Sequence, residues 1–233
     1  AEPTTAKRQL MLASLILKYI DKSRPIRILI AECEHPATII TAFYFAKKYG
    51  IEKFLDISPL FETSISIERG ARMMEQALDC FPFRENIIFR KRISIQTGFS
   101  DAGRFMGQIT SALAVERLQV KLSEVISKKL NKNIEVVIFN THGESIGRGG
   151  HPNGIEERNK YIFSTFARKQ FLNKGFKFKH ETSFQGGDGF LKFGNDKLSL
   201  NTLCSILSSE LISDNFKEDI LYADTDFSLD FFI

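Results

Sequence analysis

The sequence predicts an α/β fold in which short β-strands alternate with longer amphipathic helices. Two observations predict it: runs rich in β-branched residues alternate with segments of helical periodicity, and polar, glycine-bearing motifs follow the predicted strands. Parallel strands need a crossover that a helix usually supplies, so the alternation favours a parallel sheet. The motifs should then lie at its carboxyl edge, where α/β proteins place their sites. Periodicity alone leaves an open sheet and a partial barrel as alternatives.

Local patterns predict the first elements in chain order. A helix over residues 6–21 follows from the spacing of Leu12, Leu15, Ile16 and Tyr19, and it ends before Pro25. The β-branched run that comes next predicts a strand. The second helix has a proline in its first turn and a glycine after its end, which are favourable boundary residues.

The same alternation continues along the rest of the chain. The predicted strands are Ile26–Ile30, Lys53–Ile57, Ile87–Gln96, Glu135–Asn140 and Phe176–Phe184. The predicted helices after the first are Pro36–Tyr49, Ile65–Leu78, Arg104–Leu130, Ile155–Asn173 and Leu198–Leu211.

Composition and charge narrow the class of protein. With 233 residues and 43% hydrophobic content, the chain can bury a sizeable core as a single α/β segment over residues 1–233. Lysine and arginine number 32 against 28 acidic residues and are spread along the chain, so nucleic-acid binding is not indicated. Lys177 and Lys179 alternate with Phe176 and Phe178, which is typical of a strand with one solvated face.

Cysteine usage and the length of the apolar runs indicate where in the cell the protein is located. Cys33, Cys80 and Cys204 are far apart, with no CxxC spacing and no secretory signal before them, and the apolar runs are too short to span a membrane. We therefore expect a soluble, cytoplasmic protein. The apolar end Phe231–Ile233 suggests a segment of a longer protein.

Two carboxylates follow neighbouring predicted strands. Glu62 stands in the stretch Ser58–Thr63, and Asp101 stands in Gly98–Arg104. Each has an ordinary alternative reading, because an acidic residue near a helix N-terminus favours the helix dipole or caps the helix. Together they favour a hard-cation site, since Mg²⁺ commonly takes one or two protein carboxylates.

A third motif follows the strand that ends at Asn140. The stretch from Asn140 to Pro152 surrounds Arg148 with glycines and small residues, so that backbone N–H groups and a guanidinium can approach an anion. A flexible glycine turn with a solvated arginine is the alternative interpretation.

These motifs together resemble those of the phosphoenolpyruvate carboxylase family. In order, the family carries a PLFET loop, a GYSDS loop followed by a lysine, an HGRGGSIGRGG-like loop and a QGE segment before an aromatic–glycine pair. The corresponding segments here are Pro59–Thr63, Gly98–Asp101, Ser145–Gly150 and Gln185–Gly186, the last of these before Phe193–Gly194. Motifs in this order, covering nearly all of the chain, are more specific than any one alone.

The resemblance implies a fold, an activity and a set of site residues. It implies part of a TIM-type (β/α)8 barrel with additional helices, membership of a longer architecture, and homotetramer assembly. The family converts phosphoenolpyruvate and bicarbonate to oxaloacetate and phosphate with Mg²⁺ or Mn²⁺. By the same resemblance Glu62 and Asp101 hold the metal and Arg148 acts in carboxylation. The implied substrate-binding positions are Arg104, Ser145, Gly147, Gly149 and Gly150.

The sequence departs from the family pattern at several of these positions. Asn140 stands where the family has its loop histidine, and His142 where it has a substrate-binding arginine. Asn140 cannot act as a base and His142 is mostly uncharged near neutral pH, so proton handling and anion binding should both weaken. Arg104 replaces a lysine, and Gly187 replaces the glutamate of QGE.

Three functions remain open from these observations. The first is a family member that supplies the metal-and-phosphate half of a barrel active site and does not turn over alone. The second is a degenerate homologue that keeps the fold for a structural or regulatory role. An unrelated anion-binding module is a third, weaker reading.

Overall fold

The computed structural model describes residues 5–141, 163–182 and 186–212. Its helices are α1 (Thr5–Tyr19), α2 (Pro36–Lys48), α3 (Ser64–Asp79), α4 (Phe81–Arg90), α5 (Phe99–Met106), α6 (Gln108–Lys129), α7 (Thr165–Asn173), α8 (Gly186–Phe193) and α9 (Asp196–Ile212). Its strands are β1 (Ile26–Ile30), β2 (Leu55–Phe61), β3 (Arg92–Gly98), β4 (Glu135–Thr141) and β5 (Lys177–Thr182).

The strands form one five-stranded parallel sheet in the order β1-β2-β3-β4-β5. Every pair of neighbours is parallel, with Ile26 level with Leu55 and Thr97 level with Asn140. Within the residues that the structure describes, one or two helices lie between each strand and the next. The predicted α/β class with a parallel sheet is therefore confirmed.

The first helices and strands agree with the sequence patterns. Helices α1, α2 and α3 and strands β1 and β4 lie within a few residues of their predicted bounds. Helix α2 begins at Pro36, and the side chain of His35 accepts a hydrogen bond from the backbone N–H of Ala37. Helix α3 begins with a capping box between Thr63 and Ser66. These patterns are local, so the residues themselves determine the boundaries.

The predicted strand Ile87–Gln96 is wrong in its first half. Residues up to Arg90 belong to α4, which ends at Lys91 in the left-handed conformation (φ 54°), and the strand begins at Arg92. Ile87 is buried on the inner face of the helix. A short apolar run in a helix has the same appearance as a buried strand, which explains the error.

Strand β2 is also longer than predicted. Lys53–Ile57 was expected as strand with a loop after it, but the strand extends from Leu55 through Phe61, and Pro59 is level with Ile30. Every residue of this strand is buried. Glu62 therefore follows the end of the strand directly.

The single long helix predicted over Arg104–Leu130 is two helices. Helix α5 ends before Gly107, whose φ of 80° is unfavourable for other residues, and α6 follows it. Helix α5 begins at Phe99, so Asp101 lies in its first turn.

The remaining differences lie towards the end of the chain. Helix α7 begins at Thr165, capped by Ser164, whereas a helix from Ile155 was expected; residues 155–162 lie outside the described ranges. Strand β5 begins one residue later than predicted. Helix α8 was not predicted, and α9 matches the last predicted helix.

The two faces of the sheet differ in polarity. Successive strand residues point to opposite faces, so Ile93 and Ile95 join the buried apolar core, whereas Arg92, Ser94 and Gln96 point the other way. Helices α2, α3, α4, α6 and α7 contribute residues to that core. The second face carries charged and hydroxyl side chains.

Contacts on this polar face show that the sheet is strongly curved. Arg27 of β1 and Glu181 of β5 form an ion pair with an N–O distance of 2.6 Å, and Arg27 also lies 5.3 Å from the ring centre of Phe139. In a flat sheet the two edge strands would be about 19 Å apart, at roughly 4.8 Å per strand. The polar face is therefore concave.

In the described part of the chain, no helix has both the length and the apolar character required to cross a membrane. Cys33, Cys80 and Cys204 are free thiols.

Candidate functional site at the carboxyl edge of the sheet

Glu62 is fixed at the carboxyl end of β2 by hydrogen bonds. Its Oε1 accepts a hydrogen bond from the backbone N–H of Glu32, which follows β1, at 3.2 Å. Its own backbone N–H donates to Ser66 Oγ at 3.0 Å. Nearby, Thr63 Oγ1 donates to Glu34 Oε1 at 2.8 Å. The segment after β2 is thus tied both to the segment after β1 and to the first turn of α3.

Gly98 brings the next strand close to Glu62. Phe61 is level with Thr97, so the residues that follow them, Glu62 and Gly98, are also neighbours. A Cβ atom added to Gly98 would lie 2.4 Å from Glu62 Cβ and 3.1 Å from Glu62 Cα. Only a glycine leaves room for this approach. Glu62 therefore lies against the residue that precedes α5.

Asp101 lies in the first turn of α5, three residues after Gly98. Its Oδ1 accepts a hydrogen bond from Arg104 Nη2, one turn later on the same helix, in an ion pair. The two side chains are 33% and 53% exposed, so the pair is open to solvent. The ion pair with Arg104 thus orients the Asp101 carboxylate.

Glu62 and Asp101 are both carboxylates, the ligand type that a hard divalent cation prefers. Glu62 and Asp101 follow adjacent parallel strands, and each uses one oxygen in the hydrogen bonds described above. Mg²⁺ typically takes one or two carboxylates and fills its other positions with water or substrate oxygens. Within residues 5–141, 163–182 and 186–212, no group of three or more His, Cys, Asp or Glu side chains could hold a metal ion.

Asn140 lies near the end of β4, and its side chain is completely buried. Its Oδ1 accepts hydrogen bonds from Thr97 Oγ1 and, at 3.3 Å, from Gln119 Nε2. Its Nδ2 lies 2.9 Å from His180 Nε2. Thr97 and Gln119 are buried as well. Asn140 thus joins β3, β5 and α6 in one polar cluster beneath the carboxyl edge.

The protonation state of His180 follows from this cluster. An amide nitrogen only donates, so His180 Nε2 accepts and the ring is neutral, with its proton on Nδ1. Burial, and then the positive charge of Arg168, lowers the pKa of His180 to about 4, against a smaller opposing effect of Glu181. The ring also stacks on Phe163 at a centroid distance of 5.1 Å. His180 is therefore a neutral, partly buried strand residue that bonds to Asn140.

The remaining predicted site residues lie outside the described ranges. They are His142, Ser145, Gly147, Arg148, Gly149 and Gly150. The structure accordingly places Glu62, Asp101, Arg104 and Asn140 near one edge of the sheet, with the first three at the surface and Asn140 beneath it.

Sequence reasoning missed the residues that organise this edge. Gly98 appeared only as part of a motif, and Thr97 and Gln119 were not singled out. A signal for Gly98 was present, because a glycine at the end of a predicted strand often marks a close backbone approach. Gln119 gave no such signal, since a polar residue within a long helix usually faces solvent.

Comparison with known proteins identifies the family. The phosphoenolpyruvate carboxylase family model matches residues 12–155, more than half of the chain. The phosphoenolpyruvate carboxylase of Hahella chejuensis is 28% identical over 123 residues, which are 53% of this chain and 13% of that protein. The enzyme of that name from Thermus sp. (strain 71) is 30% identical over 125 residues, 52% of this chain and 14% of its own length.

A longer match is to the phosphoenolpyruvate carboxylase of Salmonella arizonae, 26% identical over 151 residues, which are 65% of this chain and 16% of that protein. The matched part of the chain thus spans between 13% and 16% of the length of these relatives. Glu62, Asp101 and Asn140 lie inside the range matched by the family model, whereas α8 and α9 lie beyond it. The chain therefore belongs to the phosphoenolpyruvate carboxylase family.

Proposed function

We propose that this chain forms the metal-and-phosphate part of a phosphoenolpyruvate carboxylase active site. The observation that carries the proposal is the close approach of Glu62 to Gly98, which brings one carboxylate beside the helix that holds the other, Asp101. The curated relatives bear the name of that enzyme. The proposed substrates are phosphoenolpyruvate and bicarbonate, and the products are oxaloacetate and phosphate.

The proposed chemistry divides between the carboxylates and the glycine-rich segment. Glu62 and Asp101 would hold Mg²⁺ or Mn²⁺, which when bound supplies positive charge beside the enolate oxygen of the substrate. Arg104 keeps Asp101 oriented and offers a positive charge near the edge. By family resemblance, the glycine-rich segment would bind carboxyphosphate, which forms when bicarbonate takes the phosphoryl group of phosphoenolpyruvate. The residues concerned are Arg148, Ser145, Gly147, Gly149 and Gly150.

We further propose that the sheet is part of a TIM-type barrel. Right-handed crossovers between parallel strands in sequential order place every helix on one face, whereas an open doubly wound sheet reverses its strand order. The observed order is sequential, and the Arg27–Glu181 ion pair requires strong curvature. Residues 1–233 would then be one α/β segment of a longer cytoplasmic protein that assembles as a homotetramer, as the family suggests.

One observation favours a second candidate, a non-catalytic homologue with a structural or regulatory role. Asn140 stands where the family has its loop histidine, and its buried amide is bonded to Thr97, Gln119 and His180. A side chain held in this way serves the packing of the sheet and does not transfer protons. His142 in place of an arginine would weaken substrate binding in the same direction.

Bicarbonate-dependent formation of oxaloacetate distinguishes the two candidates. The full-length protein is supplied with phosphoenolpyruvate, bicarbonate and Mg²⁺, and oxaloacetate is followed by its reduction with a coupling dehydrogenase. The catalytic proposal expects turnover that is lost in Glu62→Gln, Asp101→Asn and Arg148→Ala, and retained in the exposed control Asp79→Asn. Absence of turnover together with intact binding of Mn²⁺ would favour the non-catalytic homologue.

A further inference from the structure

A cavity of about 220 Å³ lies between helices α3, α5 and α6, and we name it the α3–α6 cavity. Helices α3 and α6 are in close contact at Gly70, where an added Cβ atom would lie 2.9 Å from Leu118 Cδ1. The cavity lies beside this contact, towards the first turn of α3, and the small side chain of Ala114 on α6 leaves the space open.

The walls of the α3–α6 cavity are mainly apolar. Ile67 and Leu118 are 3% and 2% exposed and belong to the hydrophobic core, and Met106 and Ala114 pack against that core. In volume the cavity lies between an apolar cavity of about 150 Å³ that admits benzene and the pockets of roughly 300–1,000 Å³ that hold drug-sized ligands. It therefore suits an apolar group of about the size of one aromatic ring.

Two cations of α6 line the same cavity. Arg117 and Lys121 are one turn apart, and both side chains are half-buried. The Nε of Arg117 is buried and has no hydrogen-bond partner among the described residues. Buried N–H groups are normally paired, and a guanidinium binds a carboxylate through two parallel N–H groups. A ligand carboxylate would therefore supply the acceptor that Arg117 Nε requires.

The charge of the lining favours an anion with a single charge. Glu68, which is exposed on α3, is the acidic residue of the lining, so Arg117 and Lys121 leave one positive charge in excess. A carboxylate carries one negative charge near neutral pH, whereas a phosphate monoester carries between one and two. The lining is thus matched by a carboxylate.

We propose that the α3–α6 cavity binds a monocarboxylate that carries one small apolar group. The carboxylate accepts hydrogen bonds from Arg117 and is attracted by Lys121, while the apolar group packs against Ile67, Met106 and Leu118. Apolar walls with a few placed polar groups are typical of small-molecule sites. No residue that lines the cavity takes part in the proposed active site, so this binding is independent of the proposed function.

Saturation-transfer NMR of the full chain with benzoate tests the proposal, with acetate and benzyl alcohol as matched probes. Benzoate carries both a ring and a carboxylate, whereas acetate lacks the ring and benzyl alcohol lacks the charge. We expect saturable binding of benzoate, and dissociation constants at least about tenfold higher for the other two probes. Absence of benzoate binding would overturn the proposal, and so would benzoate binding no tighter than that of either matched probe.

Two substitutions locate the bound benzoate. Arg117→Met removes the charge but keeps a side chain of similar length, and Ala114→Phe fills the cavity; each should raise the dissociation constant at least about tenfold. Arg69→Met is the matched control, because Arg69 is an exposed arginine that lines the groove between α3 and α2; it should bind benzoate as the wild type does.

Circular dichroism establishes that each variant is folded. A folded Arg117→Met or Ala114→Phe variant that binds benzoate as tightly as the wild type would overturn the proposal. If one of these variants does not fold, the other variant and the comparison of the three probes decide the outcome.

Discussion

Asp56 of β2 and Arg92 of β3 form an ion pair at 2.8 Å on the polar face of the sheet, and the side chain of Asp56 is only 2% exposed. Arg90 Nη2 donates to the other oxygen of the same carboxylate. Arg92 in turn pairs with Glu135 of β4. One buried carboxylate therefore holds two arginines, and Arg92 extends the network to β4 at the amino end of the sheet.

Removal of the Asp56 charge should destabilise the fold strongly. Asp56→Asn leaves Arg90 and Arg92 without their shared anion, so we expect the free energy of unfolding to fall by about 3–5 kcal/mol. Asp79→Asn is the matched control, because Asp79 pairs with Lys129 at 2.6 Å but is 57% exposed; its loss should cost about 1 kcal/mol or less. Urea unfolding measures both changes. Equal losses would contradict the expectation that the buried charge contributes more to stability than the exposed one.

Gly98 should be intolerant of even one added methyl group. In Gly98→Ala the new Cβ would lie 2.4 Å from Glu62 Cβ, so Glu62 must move and the free energy of unfolding should fall by about 1–3 kcal/mol. In the control Gly103→Ala the new Cβ meets only Ser111 Oγ, at 3.6 Å. That helical substitution should leave stability unchanged or raise it by up to about 1 kcal/mol. Thermal unfolding compares the two, and a harmless Gly98→Ala would show that the strands are further apart.

Curvature of the sheet predicts an energetic coupling between its two edge strands. In a double-mutant cycle, Arg27→Met and Glu181→Gln should show an interaction energy of about 0.5–3 kcal/mol, the range for side chains in direct contact. The same cycle with Lys22→Met in place of Arg27→Met should give a value near zero, since Lys22 is an exposed cation in the segment between α1 and β1. A coupling near zero for both cycles would indicate a flatter sheet.

His180 should make stability depend on pH below neutrality. Its pKa is lowered to about 4 from an ordinary value of 6.5, so between these values the unfolded chain binds more protons than the folded one. The contribution of His180 is then complete above about pH 6.5 and is lost as the pH falls towards 4, with a slope approaching about 1.4 kcal/mol per pH unit.

His180→Gln should flatten the pH dependence of the free energy of unfolding across this window. Phe163→Leu is the control, because it removes the stacked ring and keeps the histidine; it should lower stability but retain the slope. Urea unfolding at several pH values measures both variants. A slope that survives in His180→Gln would assign the titration to another group.

The sequence predicted those parts of the fold that depend on local patterns. Pro36 and the β-branched run Ile26–Ile30 determine boundaries through their own conformational preferences. The apolar run around Ile87 was misjudged because burial on a helix and burial in a strand produce the same composition. The break at Gly107 was missed because a single glycine also occurs within continuous helices.

The position of the candidate site could likewise be predicted from the sequence, whereas its internal contacts could not. Glu62 and Asp101 follow parallel strands, so their position at one edge could be predicted from the alternation alone. The bonds of Asn140 to Thr97, Gln119 and His180 depend on register and on helix packing, which join residues 21 to 43 positions apart. The ion pair of Arg27 with Glu181 depends on curvature. The alternation of Lys177 and Lys179 with Phe176 and Phe178 did indicate that the sheet has a polar face.

Binding of Mn²⁺ tests the central claim, that Glu62 and Asp101 hold a divalent cation at the carboxyl edge. Electron paramagnetic resonance of free Mn²⁺ titrated with the chain measures the affinity directly. We expect binding by the wild type, and a loss of at least about tenfold in Glu62→Gln and in Asp101→Asn, because each removes one of two carboxylate ligands. The control Asp79→Asn should bind as the wild type does. Equal affinity in all four chains, or no binding by the wild type, would contradict the claim.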